Sequence, residues 1–519
     1  MIRADVLPLL VALGVTSVAP RPAPPALVVH CDAPAHAINP LVYGIAAQSI
    51  DGKLGQWETG AAARRWGGNH TSRYNWRLGN ATNKGKDWFF ENVDFGGSWE
   101  RFVDDDRANG ASTTITVPTI GWVAKDTTSY GFPVSVYGPQ RETGPESADI
   151  GDGVFATGAL VAPTMPERTS VAWTPADVAD WARALAARGV HSYILDNEPM
   201  LWNETHRDVH PSPVSYDELL RRTIAYAAAI RGADKDAVIA GPALWGWDAT
   251  QRSAVDKASP RTQPDRRAHG DVALLPWWLS RVRAEEKRTG TKLVDLVDVH
   301  FYPQGDGIGI GAGGATDPDT SARRIRSTRA LWDPTYRDES WIREPVALVP
   351  HLKKWIDESA PGVGVSIGEY NFGAETHMSG GLAVAEALGR FGALGVTSAY
   401  YWDSPERESP AFWAFRAYRN YDGHGARFLD ESVAAESNDP SVSIFASRNA
   451  ARDRVVLVIL ELDPKKTVAP KIDTSSCGEV VSKRAFVYTG GAAGFAPTSA
   501  ASLPPYSITV VELALARRP

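Results

Sequence analysis

Short apolar runs alternate with longer amphipathic stretches from about residue 39 to residue 420. The amphipathic stretches repeat apolar residues at a helical spacing, and this alternation is typical of parallel strands joined by helices. The runs that we predict to be strands are 41–46, 64–68, 113–118, 193–197, 238–242, 296–302, 365–370 and 398–403. These α/β units predict a closed (β/α)8 TIM barrel, whose active site lies at the C-terminal ends of its strands.

The predicted helices carry their own start and stop signals. Thr174 and Asp177 form a capping box, and Gly189 lies where the following apolar stripe ends. Apolar stripes over 219–230 and 382–394 predict two further helices around the barrel.

The pattern changes after about residue 421, where helical stripes give way to β-rich runs between turn residues. These runs are 442–446, 455–462, 485–488 and 507–513. They predict a smaller all-β sandwich, to which the run 26–29 is expected to add a strand. The predicted organisation is a leader over 1–25, a barrel over 40–420, and a sandwich over 26–39 plus 421–519.

The N-terminus has the order of a secretory signal. Arg3 is followed by an apolar stretch over 6–18, which is too short to span a bilayer, and then by a Pro-rich run over 20–25. We therefore expect export to an extracellular or periplasmic compartment. Because Asp5 is unusual in the first part of a signal, the alternative is a disordered leader of a cytoplasmic protein.

The composition is that of an ordinary soluble protein with an excess of tryptophan. The net charge is −7 over 519 residues and no block of basic residues occurs, so the sequence offers no face for nucleic acid. Outside the predicted leader, no stretch of the sequence is predicted to cross a membrane. The 18 tryptophans exceed the usual share, and indole faces can line a groove for a neutral polymer such as a polysaccharide.

Cys31 and Cys477 are the only cysteines, and they lie near opposite ends of the chain. Without a Cys-x-x-Cys pair or a Cys/His cluster, a thiolate metal site is excluded. In an exported protein the two residues can form a disulfide that ties the N-terminal strand to the C-terminal domain. The alternative is two unrelated buried thiols.

Two of the predicted barrel strands end in a glutamate. The run from Tyr193 ends at Glu198, and the run from Val365 ends at Glu369. Either carboxylate alone is compatible with a structural salt bridge, because an unpaired carboxylate at the end of a buried strand is costly. Strands four and seven, however, face each other across the barrel mouth. Two facing carboxylates predict glycosidic bond cleavage, in which one donates a proton and the other is ionised.

The neighbours of the two glutamates indicate their roles. Asn197 beside Glu198 can hydrogen-bond a sugar 2-hydroxyl group, while Tyr370 and a nearby arginine are expected to keep Glu369 ionised. Glu198 is therefore the predicted acid/base and Glu369 the predicted nucleophile. Retention of configuration requires their carboxyl groups to lie about 5–5.5 Å apart.

An ordered set of motifs resembles glycoside hydrolase family 44. The motifs are Arg65-Trp-Gly-Gly-Asn69, Arg73-Tyr-Asn-Trp76, Asp87-Trp-Phe-Phe-Glu-Asn92, Leu195-Asp-Asn-Glu-Pro199, Val299-His-Phe-Tyr-Pro303, Leu331-Trp-Asp-Pro-Thr-Tyr336, Glu339-Ser-Trp-Ile342, Gly368-Glu-Tyr-Asn371 and His377-Met-Ser-Gly-Gly381. The resemblance implies a barrel with a β-sandwich and a retaining endo-β-1,4-glucanase or xyloglucanase, with Glu198 as acid/base and Glu369 as nucleophile. The segment 130–170 is longer than the resemblance implies, and we expect it to reshape one end of the cleft.

The remaining predicted site residues follow from strand ends and motifs. Arg65 is expected to pair with Glu369 and lower its pKa, the alternative being a weak surface ion pair. Trp402 is expected to form the floor under the sugar, the alternative being a barrel-core aromatic. His300 ends the sixth predicted strand and is expected to face the same mouth, the alternative being a structural histidine. The predicted substrate-binding set is Arg65, Trp66, Asn69, Trp76, Asn197, His300, Tyr302, Trp332, Tyr370 and Trp402, with Trp341 extending the platform.

The sequence assigns no metal site. His206 and His210 are four residues apart, but they lie in a loop with no third ligand. The resemblance implies no required cofactor and allows structural calcium. We expect a monomer that binds a β-glucan polysaccharide, and neither nucleic acid nor membrane. Two other classes stay open: a non-catalytic carbohydrate-binding protein on the same barrel, and a serine esterase, for which no Gly-x-Ser-x-Gly motif is present.

Overall fold

The computed structural model describes residues 26–46, 57–163, 165–310 and 314–516, so the predicted signal over 1–25 lies outside the described residues. The strands are β1 (Ala26–His30), β2 (His36–Ala37), β3 (Gly44–Ile45), β4 (Ala63–Trp66), β5 (Ala81–Asn83), β6 (Asn92–Asp94), β7 (Ser112–Val117), β8 (Trp122–Ala124), β9 (Ser170–Ala172), β10 (Ser192–Leu195), β11 (Val238–Leu244), β12 (Leu296–Val299), β13 (Gly364–Tyr370), β14 (Ser398–Tyr401), β15 (Glu431–Ser437), β16 (Val442–Arg448), β17 (Arg454–Glu461), β18 (Lys471–Asp473), β19 (Val480–Tyr488), β20 (Ala496–Pro497) and β21 (Ser507–Leu515).

The α-helices are α1 (Trp99–Ala108), α2 (Val134–Tyr137), α3 (Pro175–Ala186), α4 (Trp202–Thr205), α5 (Tyr216–Ala233), α6 (Trp247–Gln251), α7 (Ala254–Ala258), α8 (Pro264–Ala268), α9 (Leu274–Thr289), α10 (Pro318–Ser327), α11 (Leu348–Ser359), α12 (Met378–Ala393) and α13 (Pro410–Arg419). Short 3₁₀ helices lie at Pro40–Tyr43, Asn69–Arg73, Gly85–Trp88, Pro166–Arg168, Pro199–Leu201, Thr328–Leu331 and Ser475–Cys477. In the described part of the chain, no helix combines the length and apolarity that a bilayer span requires.

Strands β3, β4, β7, β10, β11, β12, β13 and β14 close into a parallel barrel, in that order. Every run predicted to be a barrel strand contributes one of them, so the predicted barrel is confirmed. The first run differs in detail, because Pro40–Tyr43 forms a 3₁₀ helix before the two residues of β3. Asn39 caps this helix by accepting a hydrogen bond from the Leu41 N–H, and Pro40 has no N–H to pair.

Strand alternation gives the barrel two chemically different faces. On β12, Val297 packs outward in the core that contains the helices, whereas Asp298 and His300 lie on the inner face. Thr114 on β7 and Tyr400 on β14 share a hydrogen bond of 2.7 Å. Because these two strands are not neighbours in the barrel, the bond must cross the barrel interior. The strands read as apolar runs because their outward residues pack under helices, but the barrel interior carries polar side chains.

Helix α12 lies between the barrel and the β domain, and nearly all of its residues are buried. Its contact with the β domain is close: a Cβ added to Gly389 would lie 2.4 Å from the Phe445 ring of β16. Only a glycine allows this approach of helix and sheet. The predicted helix starting after Thr174 is also present, with both hydrogen bonds of its capping box, although it ends at Ala186 before the predicted stop.

The C-terminal strands form the predicted β domain, in the order β18-β1-β15-β16-β17-β21-β19-β20. The run 26–29 joins it as β1, which pairs with β15 and β18. Strand β17 is buried on both faces: Val456 and Val458 belong to the core shared with the barrel, while Leu457 and Ile459 belong to the core within the β domain. Strand β15 was not predicted, because polar residues at both ends hide its short apolar centre. In the structure it pairs with β1 and β16.

A disulfide joins Cys31 to Cys477, with the two Cα atoms 4.8 Å apart. The first cysteine follows β1, and the second ends the 3₁₀ helix Ser475–Cys477. Around the bond, Ser476 Oγ accepts from the Cys31 N–H at 3.0 Å and donates to the Val29 carbonyl at 2.7 Å. Of the two alternatives left by the sequence, the structure therefore contains the pair that links the N-terminal strand to the C-terminal domain.

Candidate active site

The segment after β10 places Glu198 at the barrel mouth through two left-handed residues. Asp196 has φ 64° and Glu198 has φ 46°, a region that is costly for residues other than glycine. The Asp196 carboxylate holds this turn, because it accepts hydrogen bonds from Ser72 Oγ at 2.5 Å, from the Ile120 N–H at 2.9 Å and from the Asn197 N–H at 2.8 Å. The buried Asp196 thus organises the loops rather than facing the substrate.

Glu369 reaches the same mouth because β13 contains one extra residue. The pairing of β13 with β14 shifts between Ile367 and Tyr370, so that the alternation of inner and outer faces changes there. Glu369 then points into the mouth, and Tyr370 points outward into the core against Phe391 and Tyr401. The prediction that Tyr370 contacts Glu369 and substrate is therefore wrong.

His300 lies between the two glutamates. Its Nδ1 is 2.8 Å from Glu198 Oε1 and 3.4 Å from Glu369 Oε2. Single carboxylate oxygens of the two glutamates and a nitrogen of His300 all lie within 4.8 Å of one another. The two strand-end carboxylates thus share one compact site with a buried imidazole.

The Arg65 guanidinium is fully buried and contacts both sides of this site. Its Nη1 donates to Glu369 Oε1 at 2.8 Å, and its Nη2 donates to Asn197 Oδ1 at 2.9 Å. Nε is 3.3 Å from Thr116 Oγ1 on the neighbouring strand. The contact with Glu369 is a buried ion pair rather than the surface pair considered as the alternative.

Tyr302 supplies the phenol contact that the sequence analysis assigned to Tyr370. Its hydroxyl donates to Glu369 Oε2 at 2.8 Å. Burial and the two nearby carboxylates raise the pKa of Tyr302 well above its usual range, so it stays a donor. Both oxygens of Glu369 therefore accept a hydrogen bond, one from Arg65 and one from Tyr302.

Burial acts on both glutamates, but their neighbours differ. Burial raises the pKa of Glu198 to about 7, with Arg65 opposing the shift. Burial also raises the pKa of Glu369, and this is opposed by His300, by Arg65 and by the Tyr302 hydrogen bond. Burial lowers the pKa of His300, which favours a neutral ring. When the two carboxyl groups share one proton, Glu198 is the group that retains it. The hydrogen bonds from the Arg65 guanidinium and the Tyr302 hydroxyl stabilise the ionised form of Glu369.

A line of polar side chains leads from Asn197 to the rim of the cleft. Asn197 Nδ2 donates to Asn69 Oδ1 at 3.0 Å, and Asn69 Nδ2 donates to Asp87 Oδ2 at 2.8 Å. Asn69 and Asn197 therefore lie between the glutamate pair and the rim, and their contact with substrate stays a prediction. Asp87 borders a recess of about 400 Å³ whose walls include Trp88 and residues of the long segment 130–170.

Three of the predicted tryptophans lie away from the glutamates. Trp66 is 1% exposed and packs outward against Phe102, because Arg65 takes the inner position. Trp332 lies under the Arg390 guanidinium of α12, 3.8 Å from its ring centre. The site assignments of Trp66 and Trp332 are therefore wrong.

Trp76, the third, packs against helix α3. Its ring stacks parallel to Trp181, and its Nε1 donates to the Asp177 carbonyl at 3.3 Å. Its contacts are thus with the first turns of that helix, so the prediction of a substrate contact is not met here either.

Other aromatic residues surround the mouth. Trp402 follows β14, is half-buried, and packs against the small cluster formed by Ala46, Ala63 and Tyr400. Trp245 and Trp341 border a recess beside His300 and Tyr302. This recess shares Trp341 with a wider one of about 460 Å³. Trp245 was missed, although its position directly after β11 is a strand-end position like that of Glu198.

Among the residues that the structure describes, two sets of side chains are close enough to hold a cation. One is Glu198, His300 and Glu369, but a guanidinium already pairs with Glu369, and this makes a second positive charge unfavourable. The other is His191, Asp234 and Asp236. His206 and His210 are both buried, and His210 Nε2 is 2.9 Å from Glu218 Oε1.

A (β/α)8 barrel with two glutamates facing each other at its mouth, joined to a β-sandwich, defines the class of glycoside hydrolases. The model of glycoside hydrolase family 44 matches residues 81–305. Endoglucanase A of Paenibacillus lautus is 32% identical over an alignment 439 residues long, gaps included, that covers 79% of this chain and 60% of that protein. The chain belongs to glycoside hydrolase family 44, and it spans about three-fifths of the length of that relative.

Two solved structures resemble the whole described fold. CelM2, a bifunctional glucanase-xylanase from a metagenome library, is 33% identical with a TM-score of 0.86, covering 95% of this chain and 99% of that chain. A Paenibacillus polymyxa xyloglucanase of glycoside hydrolase family 44, solved with xyloglucan, is 26% identical with a TM-score of 0.76. The match covers 95% of this chain and 100% of that chain. The predicted barrel with a β-sandwich is thus the architecture of solved members of this family.

Proposed function

We propose that this chain is a retaining endo-acting β-glycoside hydrolase that cleaves the backbone of β-1,4-glucan or xyloglucan. The observation that carries the proposal is the unequal environment of the two glutamates. Glu369 accepts hydrogen bonds from Arg65 and Tyr302. Glu198 contacts His300, and burial raises its pKa to about 7. One carboxyl group is suited to attack, and the other is suited to donate a proton.

In the first step Glu369 attacks the anomeric carbon and forms an ester with the sugar. At the same time Glu198 gives its proton to the glycosidic oxygen, which leaves with its chain as an alcohol. In the second step Glu198, now ionised, takes a proton from water, and the hydroxide attacks the same carbon and releases Glu369. Two inversions restore the β-configuration.

The separation of the carboxyl groups supports the retaining course. Oxygens of Glu198 and Glu369 lie within 4.8 Å of one another. An inverting enzyme holds its carboxyl groups about 6.5–9.5 Å apart, because a water molecule must fit between the base and the sugar. The shorter spacing here favours direct attack by Glu369.

The aromatic rim supports binding of a long neutral chain. Trp245 and Trp341 lie on one side of His300, and Trp402 lies after the eighth barrel strand. Flat sugar faces stack on such rings, while polar side chains meet the hydroxyl groups. A cleft with recesses of about 460 Å³ and 400 Å³ along its rim suits an internal segment of a polymer. Viscosity of a soluble β-glucan is therefore expected to fall before reducing ends accumulate.

The proposal is tested with small anions in place of the missing carboxylate. In E198A, azide should accelerate turnover of an activated aryl β-cello-oligosaccharide and give the β-glycosyl azide. In E369A, azide should give the α-glycosyl azide, because the anion attacks in place of Glu369. E436A is the matched control, since Glu436 is an exposed residue of the β domain, and it should retain full activity. Binding of β-glucan without turnover in the wild type would instead indicate the carbohydrate-binding alternative.

We also propose that the protein is exported as a monomer and needs no cofactor for catalysis. The Cys31–Cys477 disulfide supports export, because such bonds persist in oxidising compartments. Chelation by EDTA should leave kcat unchanged. If a structural calcium ion is present, EDTA should lower the melting temperature at the same time, and added calcium should restore it.

A further inference from the structure

Asp298 lies inside the barrel beneath the two glutamates, two residues before His300 on the same inner face. It is completely buried. Its Oδ2 accepts a hydrogen bond from Ser366 Oγ at 2.5 Å. Its Oδ1 and the Nε2 of His300 have no hydrogen-bond partner among the described residues, and these two atoms are 3.9 Å apart. A buried oxygen and a buried ring nitrogen without partners are costly unless they serve each other.

The strand that carries the nucleophile makes room for Asp298. A Cβ added to Gly368 would lie 2.3 Å from Asp298 Oδ1, so only glycine fits at this position. On the side of Oδ2, Ser398 Oγ donates to Ser366 Oγ at 3.0 Å. The barrel interior therefore holds the Asp298 carboxyl group in one place, with one oxygen anchored and the other directed toward His300.

The position of His300 determines which of its nitrogens should carry the proton. A neutral imidazole has one donor and one acceptor. Nδ1 faces oxygens of both Glu198 and Glu369, so a hydrogen on Nδ1 serves both carboxyl groups. It also leaves the second oxygen of Glu198 to carry the catalytic proton. Nε2 is then the acceptor and requires a donor of its own.

We propose that Asp298 is a positioning residue that stays protonated and donates from Oδ1 to His300 Nε2, directly or through one water molecule. Asp298 thereby keeps the hydrogen of His300 on Nδ1, where it orients both glutamates. This inference rests on the proposed function of Glu198 and Glu369.

The charges around the pair agree with this assignment. Burial raises the pKa of Asp298 and lowers that of His300, so a neutral acid beside a neutral ring is favoured. Arg65 is the cation facing the pair and favours an ionised Asp298. Tyr400 is a further titratable group near Asp298. On the other side of His300, the ionised Glu369 opposes a second negative charge in the same cavity.

The test compares two substitutions of similar size. In D298N the amide nitrogen can donate to Nε2 while the amide oxygen accepts from Ser366, so kcat should stay within about threefold of wild type. In D298L no donor remains, and kcat should fall by about 10–100-fold with KM unchanged, as for other residues that orient catalytic groups. An equal loss in D298N and D298L would show that Asp298 acts as an anion and would overturn the proposal, as would full activity of D298L.

The protonation of His300 can be observed without any turnover. Long-range ¹H–¹⁵N spectra of ¹⁵N-histidine-labelled protein identify the protonated ring nitrogen, and the His300 signals are assigned by their loss in H300A. We expect Nδ1–H in wild type and in D298N. Nε2–H in wild type would contradict the proposal. Because this result does not depend on activity or on D298L folding, it separates failure of this inference from failure of the proposed function.

Discussion

The guanidinium of Arg65 on the second barrel strand pairs with the carboxylate of Glu369 on the seventh, with Nη1 2.8 Å from Oε1. The same Nη1 also donates to the carbonyl of Gly368, and Nη2 donates to Asn197. A single buried fork thus holds the proposed nucleophile, the backbone before it and the residue beside the proposed acid. Charge-assisted hydrogen bonds of this kind are stronger than neutral ones.

Replacing Arg65 by lysine should lower activity and shift its pH dependence. Lysine keeps a charge but cannot reproduce the fork, so kcat should fall at least about tenfold. With its cation less well placed, Glu369 should bind a proton more tightly, and the acidic limb of kcat/KM should move to higher pH. The measurement is a pH profile on a soluble β-glucan. R221K is the control, because Arg221 is exposed on α5; an unshifted acidic limb in R65K would contradict the role of Arg65.

The basic limb of the pH profile should report Glu198. As the proposed general acid, Glu198 would act in its protonated form, and burial raises its pKa to about 7. Activity should therefore be present below this pH and fall as the pH rises through about 7. The measurement is kcat/KM between about pH 4 and pH 9, with circular dichroism to show that the fold persists. Full activity maintained to the top of that range would be incompatible with Glu198 as the general acid.

Two neighbouring tyrosines should respond differently to loss of their hydroxyl groups. Tyr302 donates to Glu369, so Y302F should lower kcat by about 10–100-fold, because a hydrogen bond to the proposed nucleophile is lost. The Tyr370 hydroxyl has no hydrogen-bond partner among the described residues, so Y370F should leave kcat nearly unchanged. Comparable losses in both variants would show that the two side chains do not differ as the structure indicates.

The contrast between Tyr302 and Tyr370 shows where sequence reasoning reaches its limit. Strand ends are visible as apolar runs that stop at polar residues, and this was enough to predict the barrel and to find both glutamates. The direction of a side chain at a strand end depends on register. The extra residue between Ile367 and Tyr370 reverses which side chains point into the barrel. Tyr370 therefore points outward, although the sequence pattern predicted that it faces the site.

Polar residues inside the barrel were missed for a related reason. Ser366 and Asp298 stand in strands that look continuous and apolar, and nothing in the local pattern shows that one face meets the barrel axis. Trp66 was misplaced in the same way, since it alternates with Arg65 and points outward. A motif indicates that its residues matter together, but it does not tell which of them pack and which face the substrate.

Removal of the disulfide should destabilise the protein without changing its chemistry. The bond joins residues 446 positions apart, and in the chain-entropy model closing so long a loop contributes up to about 5 kcal/mol. The double variant C31A/C477A should therefore have a lower free energy of unfolding, and kcat should be unchanged because the bond lies in the β domain. Denaturant unfolding with and without reductant is the measurement: reductant should destabilise wild type to about the level of the variant and should not affect the variant. Two reactive thiols in denatured, unreduced wild-type protein would show instead that the bond does not form.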